Sequence, residues 1–102
     1  MRQQISQVIY SPEYKFKAVI YERDCGATTN FSTQVSILRA SQTLPRGNGN
    51  ILDMDGMPED SISDIAWSGD RSLSINTASE YPIFFQAKSF RWFFTEMDID
   101  IQ

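Results

Sequence analysis

Phe31-Ser32-Thr33-Gln34-Val35-Ser36-Ile37-Leu38 alternates apolar and polar side chains along its length. A period of two is that of a β-strand with one face in the core and one in water. Phe31, Thr33, Val35 and Ile37 are expected to point inward. Strand architecture then spreads in both directions along the chain.

Upstream, Ile9-Tyr10-Ser11-Pro12-Glu13-Tyr14-Lys15-Phe16-Lys17-Ala18-Val19 sets an aromatic and a serine before a turn and then resumes alternation. Downstream, Ala66-Trp67-Ser68-Gly69-Asp70-Arg71-Ser72-Leu73-Ser74-Ile75 does the same. Each reads as strand, tight turn, strand. Proline presets φ in the first turn and Gly-Asp tolerates positive φ in the second, two alternative ways of reversing a chain. The pattern is reminiscent of propeller blades, but 102 residues supply too few blades to close a propeller. One twisted sheet or a small sandwich accommodates both hairpins.

Ser41 to Asn50 holds Pro45, Gly47 and Gly49 among polar residues and is expected to be a mobile loop, followed by a short strand from Asn50 to Met54 and a turn from Asp55 to Asp60. From Tyr81 onward, Phe90, Phe93, Phe94, Met97 and Ile101 fit a helical stripe, whereas Phe90, Trp92 and Phe94 fit alternation. Richness in Phe, Trp and Ile favours strands over 82–95 and 97–101, joined by a bulge or bend; a C-terminal helix is the alternative. The expected fold is a single all-β domain over 1–102, an antiparallel sandwich or half-barrel. Trp67, Trp92 and the seven phenylalanines are expected to fill its core.

The chain contains no histidine. Imidazole acid/base chemistry, Ser/His/Asp or Cys/His nucleophiles and histidine metal ligation are thereby excluded. Cys25 has no partner for an internal disulfide and is expected to be an inert, packed thiol in a reducing cytoplasm. The N-terminus lacks the basic start and apolar run of a secretory signal, and no stretch is long enough for a membrane-spanning helix. Carboxylate pairs could cleave glycosides given a fixed separation and a cleft, but spacing along the chain reveals neither. No enzyme activity and no cofactor are expected.

Net charge is −4, unevenly placed. Residues 1–46 carry six cations against three carboxylates; residues 47–102 carry three cations against ten carboxylates. An acidic field repels phosphate backbones and anionic lipid and attracts a basic protein. Asp53, Asp55, Glu59, Asp60 and Asp64 form one candidate partner-binding cluster, and Glu96, Asp98 and Asp100 a second. Asp53-Met54-Asp55-Gly56 also invites a calcium reading, but its spacing misses the EF-hand loop, so a solvated turn or partner surface is favoured over a metal.

The segment from Tyr10-Ser11-Pro12 through Arg23-Asp24-Cys25-Gly26-Ala27-Thr28-Thr29 to Phe31-Ser32-Thr33-Gln34-Val35-Ser36-Ile37 resembles a recurring stretch in small bacterial proteins. Several of these resemble envelope lipoproteins, from which this chain departs in lacking a signal. They suggest a non-catalytic binding module as an alternative function. A small, acidic, unexported β protein also resembles the immunity proteins of contact-dependent growth inhibition. That resemblance implies a cytoplasmic inhibitor that occludes the active site of a basic toxin domain, a nuclease and foremost an RNase, without itself touching nucleic acid or membrane.

Overall fold

The computed structural model describes residues 2–24, 31–92 and 95–102. The expectations for Cys25, Phe93 and Phe94, and for the side chains of Phe90 and Trp92, lie outside the described residues. The elements are β1 (Arg2–Tyr10), β2 (Phe16–Asp24), β3 (Phe31–Arg39), β4 (Leu52–Asp55), the short helix α1 (Pro58–Ser61), β5 (Ile62–Gly69), β6 (Ser72–Thr77), β7 (Ile83–Gln86), β8 (Ser89–Trp92) and β9 (Thr95–Ile101). Two sheets form: β1-β2-β3-β4-β7, called sheet A, and β5-β6-β9-β8, called sheet B. All pairings are antiparallel except β6 with β9, which is parallel, so sheet B departs from the expected wholly antiparallel order.

The sheets are joined by one apolar core that draws Ala18, Ile20, Val35, Ile37 and Leu52 from sheet A and Leu73, Ile75, Met97 and Ile99 from sheet B. The fold is thus a sandwich, and each fully buried Leu or Ile in it contributes about 1.5–3 kcal/mol by leaving water. Both expected hairpins are present, one in each sheet. Their tips meet: Glu13 N donates to Asp70 Oδ1 at 3.0 Å, and Trp67 Nε1 donates to Ile9 O at 2.9 Å. Within the first tip, Ser11 N and Oγ bind Phe16 O and N, while Tyr14 takes φ 60°, uncommon for a residue with a bulky side chain.

β3 departs from its expected wet face. Thr33, Val35 and Ile37 are buried toward sheet B as expected, but Gln34, Ser36 and Leu38 on the opposite face are buried too. Residues 41–50, expected as a mobile loop, instead lie over that face and are tied to it. Leu44 packs on a second small cluster of Val19, Tyr21 and Leu38. Gly49 N donates to Gln34 Oε1 at 2.8 Å, Asn50 N to Ser36 Oγ at 3.1 Å, and Tyr21 OH to Gly47 O at 2.9 Å. The Asn50 side-chain amide exchanges two hydrogen bonds with the Ile37 backbone, standing in for a peptide group where the β3–β4 ladder stops. Asn50 itself therefore precedes the strand, which starts at Leu52.

The segment 82–95 is likewise not one strand. Ala87 N donates to Ile51 O on the sheet A side, and the next residue, through Lys88 O, accepts from Ile99 N in sheet B. The chain changes sheets between these two residues, which separates β7 from β8. The expected C-terminal strand is present as β9, and no helix forms there among the described residues. Phe84 and Phe85 do not fill the core: β7 is a short edge strand with an irregular register, of which Ile83 packs against the core while the two phenylalanines remain 63% and 49% exposed. Among the described residues no helix is long and apolar enough to cross a membrane.

Gly49 shows how closely the covering segment is seated. A Cβ there would lie 2.5 Å from the carbonyl oxygens of both Leu52 and Val35, backbone atoms of two paired strands that cannot rotate away. Gly49→Ala is expected to cost about 1–3 kcal/mol or more in a urea denaturation series. At Gly69, where a Cβ would meet nothing within 4 Å, the same substitution should be neutral or stabilising by up to about 1 kcal/mol. Equal effects at the two positions would contradict the packing described.

Candidate functional site

The register of β6 and β9 sorts side chains cleanly. Leu73 lies beside Ile99 and Ile75 beside Ile101, facing the core, while Ser72 lies beside Asp98 and Ser74 beside Asp100 on the outer face. On the far side of β9, Ser89 is opposite Asp98 and Arg91 is opposite Glu96. On β5, Asp64 is opposite Asn76 and Ala66 opposite Ser74. Ser72, Ser74 and Ser89 stand beside Asp98 and Asp100, while Arg91 faces Glu96, Asn76 faces Asp64, and Gln102 Nε2 donates to Asp100 Oδ2 at 3.0 Å. Asp64, Glu96, Asp98 and Asp100 are all exposed, with Arg91 the cation in register among them. With sheet strands about 4.8 Å apart, the acid-bearing strands β5 and β9 lie roughly 10 Å from each other across this face.

The two candidate clusters are therefore regrouped. Glu96, Asp98 and Asp100 share one face as alternation in β9 dictates, and Asp64 joins them from β5. Asp53 and Asp55 instead lie on β4 at the outer face of sheet A, where Asp53 Oδ1 accepts from Gln34 Nε2 at 2.7 Å. Glu59 and Asp60 occupy the first turn of the four-residue α1 and are exposed. The run 53–64 does not form one surface. Among the described residues no group of three carboxylate or thiol side chains is placed to hold a metal ion.

One carboxyl pair has perturbed proton affinity, and the sequence did not single it out. Glu13 and Asp70, from the two hairpin tips, share a side-chain hydrogen bond beside Lys15 and Arg71 in a cleft of about 330 Å³. That bond to Asp70, reinforced by charge repulsion, raises the Glu13 pKa; the reciprocal bond and the Glu13 backbone N–H lower that of Asp70. The pair holds one proton between its two carboxyls in the pH range between their displaced affinities. Glycoside cleavage needs carboxyls about 5 Å or more apart with a sugar linkage between them. Contact leaves no room for one, so the pair is a clasp between hairpins. The 57-residue offset between the two similar hairpins was the available signal, since it is also the offset of Glu13 from Asp70.

Compared with known proteins, the chain matches no family model, no curated protein and no solved structure. Function rests on the geometry above.

The clasp has a definite pH signature. The stabilisation that Glu13 gives through its raised pKa is present at low pH and fades as pH rises through its folded value; that from Asp70 is present above its unfolded value and fades as pH falls through its lowered one. Both are present near about pH 4, between the two sites' ordinary values. Glu13→Gln keeps a donor toward Asp70 at every pH. Relative to the unsubstituted protein, this variant should gain urea resistance at pH 7 compared with pH 4; the same difference at both would show that no proton is shared.

Proposed function

We propose that this protein is a non-catalytic inhibitor of the immunity type its sequence resembles, acting in the cytoplasm on a basic toxin domain. The outer face of sheet B is its electrostatic recognition surface. Asp64, Glu96, Asp98 and Asp100 meet lysines and arginines that line the substrate groove of the toxin, a nuclease and foremost an RNase, and deny that groove to nucleic acid. The observation that carries this reading is the gathering of four exposed carboxylates on one sheet face, with Arg91 the one cation paired in register with them among the described residues.

Two features of the molecule support it. β6, which lies between the acid-bearing strands β5 and β9, turns only the uncharged Ser72, Ser74 and Asn76 to this face, which leaves an open polar surface. The outer face of β1–β3 in sheet A, by contrast, is partly occupied by the chain's own residues 44–50. An open polar sheet face suits a macromolecule better than an enclosed small substrate.

The test is association kinetics with a basic nuclease domain, taken from any large effector whose reading frame neighbours that of this protein. Raising salt from low to high should slow association by about tenfold while dissociation changes less. Asp98→Asn with Asp100→Asn should slow association and weaken inhibition of the toxin, whereas Asp53→Asn with Asp55→Asn should leave both nearly unchanged. Full inhibition by the Asp98/Asp100 variant would remove this face from the interface.

A further inference from the structure

The β1 edge of sheet A combines three features that the acidic face does not use. β1 is nine residues long and carries no charge between Gln3 and Tyr10, and Gln4, Ile5, Ser6, Gln7 and Val8 are all exposed. The other sheet edges are shorter or guarded: β7 and β8 have four residues each, β8 with Arg91, and β5 bears Asp64 and two register irregularities. A long uncharged edge offers its outward backbone groups to another strand. β1 has one such safeguard, an irregularity at Ser6.

Beside this edge, on its core-facing side, two adjoining clefts of about 220 and 180 Å³ run between β1 and α1 and share Ser6, Pro58 and Glu59. Glu22 lines the larger one. Its Oε2 is shut off from solvent and has no hydrogen-bond partner among the described residues. Buried polar atoms are nearly always paired, so an orphaned carboxylate oxygen at a cleft marks a place for a donor. Glu59 adds a second carboxylate, and Met57 and Pro58 supply an apolar wall.

We propose that the β1 edge binds an extended segment of a partner protein as an added strand, with a lysine or arginine of that segment seated between Glu22 and Glu59. Backbone hydrogen bonds to β1 would hold the segment, and alternate side chains would enter the clefts. The cationic side chain lays its methylene stem along Met57 and Pro58 and donates to Glu22 Oε2. This site is separate from the outer face of sheet B, so each can fail without the other.

The experiment is an NMR titration of the whole protein with the blocked heptapeptide Thr-Val-Thr-Lys-Thr-Val-Thr, which puts valine, lysine and valine on one face. The control peptide has glutamine in place of lysine. Amide shifts are expected to concentrate at Gln4–Val8 and Glu59, with the lysine peptide binding at least about fivefold more tightly than its control. Glu22→Gln should abolish that preference. Glu59→Gln, at an exposed position, should reduce it and serves if the first variant does not fold. No shifts along β1 at millimolar peptide, equal binding of the two peptides, or a preference unchanged in both variants would overturn the proposal.

Discussion

Gln34 is the side chain on which the arrangement of this molecule turns. It is buried in the middle of β3, and each of its polar positions is used: Nε2 donates to Ser32 Oγ and Asp53 Oδ1, and Oε1 accepts from Gly49 N. A buried amide without partners is costly, and this one is satisfied when β4 pairs alongside and the segment 47–50 lies above. Ser36 and Asn50 continue the same network one step along the strand. Polar residues on β3 thus bind the chain's own loop instead of water. Sheet A is partly covered by the chain's own residues 44–50, and sheet B keeps an open polar face.

That distinction was half legible in the sequence. The hairpins at Ser11-Pro12 and Gly69-Asp70 and the alternation of 31–38 identified five strands, because turn chemistry and period two are local signals. Burial of the polar side of β3 was not legible, since serine and glutamine look the same facing water or facing a backbone that will meet them. The change of sheet at Ala87 and Lys88 was hidden for a related reason: both flanking strands are rich in aromatic residues, and the division depends on hydrogen bonds to Ile51 and Ile99, far away along the chain. At the candidate site, β9 alone could be read, because Glu96, Asp98 and Asp100 alternate with Met97 and Ile99. Asp64 belonged to that surface through strand order, which no local pattern encodes.

Charge follows the same division. The cation-rich first part of the chain builds β1, β2 and β3 of sheet A, and the acid-rich remainder builds all of sheet B. The asymmetry along the sequence becomes one between β1–β3 and sheet B, with β4 carrying Asp53 and Asp55 on the sheet A side. Such a field orients an approaching basic partner before contact, which accelerates encounter more than it deepens affinity. The hairpin clasp of Glu13 and Asp70 belongs to the frame that sets one sheet against the other, alongside the bond from Trp67 to Ile9.

The most direct test is the near-surface potential itself, read from amide-proton relaxation with matched cationic and anionic nitroxides. Enrichment of the cationic probe over Ser72, Ser74, Asp98 and Asp100, with none over the outer side of β1–β3, is the predicted result. A potential of similar sign and size on both sides of the sandwich would contradict it.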